Sequence, residues 1–570
     1  MSATDPDVTE SDGQPPAWVA RYQPGVPAEI ELPTESLFDL LVRSVAEAGP
    51  STALTFFGRQ TTYADLGAQV MRAAEGLRRF GVREGDRVAI MLPNCPQHVI
   101  AFYAALRLGA IVVEHNPLAT ASELDTLFAD HGAKIAIAWD VAVPKLQGFT
   151  KAPALAHIVA VNLLEEFPVT MQVALRLPVR KLRDTRAGLT APTTGTIAWK
   201  KLLDGPPVDP SVPRPRVEDV AVIQYTSGTT GQPKGAILTH LNLYANALQG
   251  AAWMKDAEYR KEVFFAVLPM FHAFGMTLYL TYGVLKQANI VLFPKFDVDM
   301  ILKAAKKTPP TVYCAVPPIY RKTAEVAKER GISLKSAKFC ISGAMALTDD
   351  IVELWESVSG GLLVEGYGMT ESSPVALGNP FWPTRRTGTI GVPFPSTHMK
   401  VTDPEDPTRE VAQGEPGELQ IRGPQVFQGY WNNPDETATT LLPGGWLRTG
   451  DIVTVDAEGY ATIVDRAKEI IITGGFNVSP SEVEGVIRRV PGIDDVAVVG
   501  HRRPDGAEVI VAVVEAEDFD EAGVRDHCRR ELSAYKVPKR VIRSDGELPR
   551  SMLGKVLRKQ VREKLPSDLD

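Results

Sequence analysis

Short continuous apolar runs alternate along this chain with longer stretches whose apolar positions recur at helical spacing. The spacing predicts helices over 36–47, 63–80, 97–108 and 122–131, and the runs predict strands over 53–57, 87–92, 110–114 and 133–138. Strands alternating with helices imply a largely parallel sheet. The rhythm stops between Val161 and Gly205 and resumes from Val220 to about Leu377. From Gly388 to Asp465 the pattern becomes short strands with turn signals at Gly414-Glu-Pro-Gly417, Gly444-Gly445 and Asp456-Ala-Glu-Gly459, a compact β region. After Asp465 a new unit begins. It has a strand over 469–473, a turn at Gly474-Gly475 and a helix over 479–490, capped by Ser479 with Pro480 in first position. Strands over 496–500 and 509–515 and a helix over 521–532 follow. A domain boundary is expected near Asp465, with residues 1–35 as an N-terminal extension, 36–465 as a large domain and 466–570 as a small one.

Composition narrows the class. The 570 residues exceed what one core usually supports, and an apolar fraction of 44% suits a globular chain. The net charge of −8, without a dense cluster of Lys and Arg, argues against nucleic acid as a partner. Met1 to Pro16 has no signal-like apolar core, and the longest apolar stretch, Val99 to Val113, is broken by Arg107 and too short to span a bilayer. Cys95, Cys314, Cys340 and Cys528 show no metal or redox spacing, so a reduced, cytoplasmic protein without a structural metal is expected. One segment stands apart. Residues 167–183 are apolar with Arg176, Arg180, Lys181 and Arg183 interleaved, a composition that suits either the inner face of an anionic membrane, met peripherally, or a plain surface helix.

Candidate chemistry enters at Thr226-Ser-Gly-Thr-Thr-Gly-Gln-Pro-Lys-Gly235, directly after the apolar run 220–225. A strand that feeds a loop of glycines, hydroxyls and a lysine is suited to phosphate, because backbone N–H groups can approach anionic oxygens closely there. The spacing is not that of a P-loop. Six further segments follow in order: Leu268-Pro-Met-Phe-His-Ala-Phe-Gly275, Ile341-Ser-Gly-Ala-Met345, Glu365-Gly-Tyr-Gly-Met-Thr-Glu371, Trp446-Leu-Arg-Thr-Gly-Asp451, the stretch from Asp465-Arg-Ala-Lys468 to Gly475, and Pro549-Arg-Ser-Met-Leu-Gly-Lys555.

Together, from about Ser36 to Val561, these segments strongly resemble the adenylate-forming superfamily of acyl-CoA ligases, luciferases and peptide-synthetase adenylation domains. The resemblance implies a multidomain α/β fold: a large N-terminal AMP-binding domain of two αβ subdomains plus a small β-barrel, then a small mobile α+β domain. It implies ATP, Mg2+ and CoA as cofactor and co-substrates. Thr226, Ser227, Gly228, Thr229, Thr230, Gly231 and Lys234 would wrap the ATP phosphates. Tyr367 would stack on adenine, edged by Gly343, Ala344, Glu365, Gly366 and Gly368. Thr370 would hold the α-phosphate, Glu371 would ligate Mg2+, and Asp451 and Arg466 would take the ribose. Lys555 would be the adenylation lysine and Lys468 the hinge, while Gly474 and Gly475 would let CoA pass close to the backbone.

The resemblance also implies that His272 lines the boundary between acyl and thiol sites. A carboxylate nucleophile is already ionised at neutral pH, so base catalysis is not assigned to it. Met276, Val316, Gly343 and Gly368 would line the acyl pocket, and Gly368 stands where acetate-activating relatives carry tryptophan. Apolar lining and small residues favour a medium- or long-chain fatty acid, with relatives of the long-chain fatty-acid–CoA ligase type looking closest. An aryl-CoA or acyl-AMP ligase, loading another acid or a carrier protein, is the alternative. The oligomeric state is not legible.

Overall fold

The computed structural model describes residues 16–152, 154–226, 233–467, 469–473, 476–503, 508–551, 554–566 and 569. The chain divides into two compact units, one of residues 1–387, 391–398 and 422–447, the other of 388–390, 399–421 and 448–570. Most of the β-rich stretch between 399 and 465 thus groups with the C-terminal residues.

Two sheets build the first unit. In one, the strands Leu363–Gly368, Phe339–Ser342, Val312–Ala315, Val263–Ala266, Asn289–Leu292 and Thr52–Phe56 lie side by side and parallel. Antiparallel strands finish its two edges, Arg59–Thr62 at one and Val375–Gly378 then Val392–Pro393 at the other. In the second sheet Ile197–Ala198, His157–Val161, Ile135–Trp139, Arg87–Met91, Ile111–Glu114 and Val220–Thr226 run parallel, and Lys234–Thr239 closes the edge antiparallel to its neighbour. The central strands are buried on both faces, as covered parallel sheets require.

Local sequence sets the helix starts. Ser36 with Asp39, Thr120 with Glu123 and Thr239 with Asn242 each form reciprocal capping boxes. The helix expected over 36–47 spans Leu37–Ala48, and that over 97–108 spans Pro96–Arg107. The stretch over 167–183 is two short helices, Val169–Ala174 and Arg180–Ala187, with Pro178 between them.

In the second unit, Asp495–Arg502, Glu508–Glu515 and Arg540–Arg543 form a three-stranded sheet, against which Pro480–Ile487 and Glu521–Glu531 pack around Val483, Val498, Ala512 and Cys528. The first of these helices stops short of the expected Val490 because Pro491 disfavours helical backbone at the residue before it. The expected β-barrel region corresponds to a five-stranded sheet that includes Gly417–Arg422, Trp446–Val455 and Ala461–Arg466.

Candidate active site

In the first unit the predicted segments leave the same edge of the structure, the carboxyl ends of parallel strands. Val263–Ala266 runs out to His272 and Met276, Val312–Ala315 to Val316, Phe339–Ser342 to Gly343 and Ala344, and Leu363–Gly368 to Thr370 and Glu371. From the other sheet, Val220–Thr226 ends with Gln224 close to this edge, and the loop after it lies outside the described residues. In open α/β sheets ligands bind outside these carboxyl ends. The two edges are tied together: Asn94 donates to the carbonyls of Ala266 and Leu268 at 2.9 and 2.7 Å and accepts from Met270 N at 2.8 Å. Gln224 Nε2 donates to Phe271 O at 2.9 Å.

At two positions this edge is packed closely against its neighbours. A Cβ on Gly343 would stand 3.0 Å from the Phe274 ring, and Ala344 already sits at φ 67°, the left-handed region. A Cβ on Gly368 would lie 1.9 Å from the Pro374 carbonyl oxygen. The backbone itself therefore demands glycine at 368, whatever the size of an acyl chain. Tyr367 is buried in register with Leu377. Around this edge Ser342 Oγ, Ser373 Oγ and Gln224 Oε1 are buried without a hydrogen-bond partner among the described residues. Orphaned polar atoms at a strand edge are what a polar ligand such as a nucleotide would satisfy.

Two carboxylates stand here in different settings. Glu365 is buried, and loss of water pushes its pKa up to about 8. Glu371 is buried too, but its Oε1 accepts a hydrogen bond from the Tyr430 hydroxyl at 2.6 Å. The Tyr430 ring packs under Lys234 Nζ at 5.4 Å, and Lys234 is ion-paired with Glu436. Lys234, expected on phosphate, is thus buried in a pair at the root of its loop. Ser227, Gly228, Thr229, Thr230 and Gly231 lie outside the described residues, as do Lys468, Gly474 and Gly475.

His272 is half-buried and caps the turn at Ala273, its Nδ1 accepting from Phe274 N at 3.3 Å. That bond leaves the proton on Nε2, and desolvation pushes the imidazole pKa down to about 4, so the ring is neutral near pH 7. Met276 is buried at the start of a π-helical turn, Met276–Tyr282, whose Thr277 hydroxyl donates to Ser373 O at 2.7 Å. Val316 is buried as the N-cap of the helix Pro317–Glu329.

The second unit gathers the ionic members. Asp451 and Arg466 face each other across antiparallel strands, with Arg466 Nε 3.0 Å from Asp451 Oδ1. Lys555 stands exposed on a tight turn in which Ser551 N donates to Lys555 O at 2.7 Å. Its pKa lies below the ordinary lysine range, first through partial desolvation and then through the Arg466 guanidinium, with Glu469 and Asp451 opposing. Lys555, Asp451 and Arg466 are therefore electrostatic neighbours.

Tyr430, Glu436 and Arg558 were not singled out by sequence patterns. Arg558 joins Asp465 at 3.2 Å, Glu484 at 2.8 Å and Glu469. Asp465 also accepts from Ser479 Oγ at 2.6 Å and Ser481 N at 2.8 Å. Only the Asn-Pro-Asp-Glu run at 433–436, a helix-start signal, hinted at part of this set.

Comparison with known proteins identifies the family. A family profile described as AMP-binding enzyme matches residues 41–431, and one described as AMP-binding enzyme C-terminal domain matches 482–555. A long-chain-fatty-acid–CoA ligase of Bacillus subtilis (strain 168) is 36% identical over 555 residues, covering 96% of this chain and 97% of that protein. One from Escherichia coli O157:H7 is 34% identical, covering 97% and 99%. Among solved structures, ATP-bound MatB from Rhodopseudomonas palustris superposes with a TM-score of 0.77 at 29% identity, covering 93% of this chain and 99% of that one.

Proposed function

We propose, from the premise that this chain belongs to the AMP-binding enzyme family, that it is an acid–thiol ligase converting a medium- or long-chain fatty acid to its CoA thioester at the expense of ATP. The fatty carboxylate attacks the α-phosphate and expels pyrophosphate; the CoA thiol then displaces AMP from the acyl-adenylate. The observation that carries the reading is the convergence of Gly343-Ala344, Glu365 to Gly368, Thr370 and Glu371 on one strand edge, while a second unit assembles Asp451, Arg466 and Lys555.

Both reactants of the first step are anions, so their repulsion must be screened. Lys555 supplies a cation for the carboxylate and α-phosphate oxygens, and its loss costs about 3–4 kcal/mol of transition-state stabilisation, by analogy with removed oxyanion donors. Asp451 accepts from the ribose hydroxyls with Arg466 holding its carboxylate, Tyr367 faces adenine, and Thr370 donates to the α-phosphate. The buried Glu371, steadied by Tyr430, fits a magnesium ion, which needs one carboxylate beside phosphate oxygens and would neutralise charge on them. Neutral His272 separates acyl and thiol sites without moving a proton.

For the second step the residues after Asp465 act as a mobile lobe that turns at Lys468 and brings Gly474 and Gly475 to the pantetheine arm. Apolar Met276 and Val316 suit an alkyl chain, and since each buried methylene contributes only about 0.8 kcal/mol, chain-length preference is broad.

The test is a panel of acetate, octanoate, palmitate and 4-coumarate with ATP and magnesium, with and without CoA, reading pyrophosphate and thioester. The expected result is pyrophosphate release with octanoate and palmitate well above that with acetate, and thioester only with CoA. Turnover of the aryl acid alone, or of no acid, overturns the reading.

A further inference from the structure

Residues 167–190 form a flap fastened at both ends and bare between them. At its start Phe167 is buried, its ring centroid 4.2 Å from that of Phe57 and 5.4 Å from that of Phe56. Arg59 braces this root, 3.2 Å from Glu166 and donating to Glu165 O at 2.8 Å. At its end Trp139 Nε1 donates to Leu189 O at 2.9 Å, and the Thr190 hydroxyl donates to Asp140. Between 168 and 188 only Leu175 is buried.

The bare part is not the polar surface that two fastened helices should present. Val169, Val173, Leu177 and Val179 are 72%, 57%, 49% and 51% exposed, four of the twelve large apolar residues exposed among those described, all within eleven positions. Single exposed apolar residues are ordinary; a cluster of this kind marks a contact surface. Arg176 lies among them and Arg180, Lys181, Arg183 and Arg186 follow directly, all exposed, against the single acid Asp184, itself 3.9 Å from Arg180. A chain of net charge −8 is repelled as a whole by an anionic surface, so five cations against one acid here form a local exception.

We propose that this flap rests on an anionic lipid surface, its valines and leucine at the acyl boundary and its cations among the headgroups. Charge complementarity selects anionic over zwitterionic lipid. A lipid surface suits it better than a folded acidic protein, because two short helices split at Pro178 set four exposed apolar side chains directly beside five exposed cations in one run from 169 to 186. Among the described residues no helix is long and apolar enough to cross a membrane. The proposal rests on the fatty-acid reading only for its purpose: such a contact would place the enzyme where its substrate partitions.

The experiment is co-sedimentation of the full chain with vesicles of phosphatidylcholine alone or mixed with phosphatidylglycerol, over a salt series. Wild type should pellet with the anionic vesicles only, and less as salt rises. A variant with Arg176→Gln, Arg180→Gln, Lys181→Gln and Arg183→Gln should lose about fivefold in partition per charge removed. One with Val169→Ser, Val173→Ser, Leu177→Ser and Val179→Ser should lose at least about tenfold. Both should melt like wild type and turn over octanoate in vesicle-free solution at the wild-type rate. Wild type staying in the supernatant with anionic vesicles, or either variant pelleting as well as wild type, overturns the proposal, as does capture of an acidic protein by the flap without vesicle binding. Vesicle binding is read without catalysis and octanoate turnover without vesicles, so failure here and failure of the ligase reading are told apart.

Discussion

The strand edge of the first unit and the Asp451–Arg466–Lys555 group of the second are made of different materials. At the edge, Gly343, Ala344, Gly366, Tyr367 and Gly368 present backbone and a ring, and both carboxylates are buried, one with its pKa raised and one bonded to a phenol. The second group is ionic: a buried aspartate paired with arginine, and an exposed lysine under their combined field. Shape is enforced at the edge by close packing, so altering it should disturb stability together with activity. The lysine of the second group is exposed, so altering it should disturb rate and leave the fold intact.

The largest break in that contrast is Lys555→Ala. Pyrophosphate release should fall about 10²–10³-fold while the unfolding midpoint stays at the wild-type value, because the side chain is exposed. Thioester formation from supplied acyl-adenylate should persist; equal loss in both half-reactions would remove the lysine from the first step. Because Lys555 titrates below the ordinary lysine range, its charge is lost earlier as pH rises. The alkaline limb of pyrophosphate release should lie correspondingly low, and Lys555→Arg should shift it upward.

Gly368→Ala is the matching test of the edge. The new methyl would meet the Pro374 carbonyl, so the backbone must move, costing about 1–3 kcal/mol of stability along with activity. If the glycine served only to leave room for an acyl chain, the same change would shorten the preferred chain without moving the denaturation midpoint. Chemical denaturation and a chain-length profile decide between them.

These two positions show what could be read without coordinates. The parallel architecture follows from strand–helix alternation, while the roles expected of Gly368 and Lys555 rest on the resemblance of short contiguous motifs. What holds them was not legible. The Pro374 carbonyl reaches Gly368 through strand pairing, Lys234 meets Glu436 from 202 positions away, and Arg558 joins Asp465 across 93. Periodicity reports which face of an element is apolar and carries no information on which distant charge it meets. The phosphate reading of Lys234 came from its loop's composition, which could not reveal the pair at the loop's root.

A smaller effect tests whether the edge is all shape. Tyr430→Phe removes the donor on Glu371 while leaving the ring beneath Lys234. Partners of a metal-binding carboxylate typically contribute tenfold or more, so the magnesium concentration for half-maximal pyrophosphate release should rise about tenfold. The rate at saturating magnesium and the binding of AMP should be retained. An unchanged magnesium requirement would reduce Tyr430 to a packing residue.

The smallest effect concerns the other buried carboxylate. Glu365 binds its proton more tightly in the folded protein than in the unfolded chain, its pKa raised to about 8 by burial. Below the unfolded carboxylate pKa both states hold the proton and folding bears no penalty. As pH rises toward 8 the unfolded chain alone releases it, so stability should decline across that window, by up to about 1.4 kcal/mol per pH unit, and level off above it. Glu365→Gln keeps the shape and removes the titration. Between pH 6 and pH 7 the wild-type denaturation midpoint should fall while that of the variant should fall less, and nucleotide binding should be the same for both, since the adenine contact proposed for this edge uses its backbone and not this carboxylate. Identical pH slopes for the two proteins would show that Glu365 is solvated in solution, and the edge would then join the second unit as a site that works by charge.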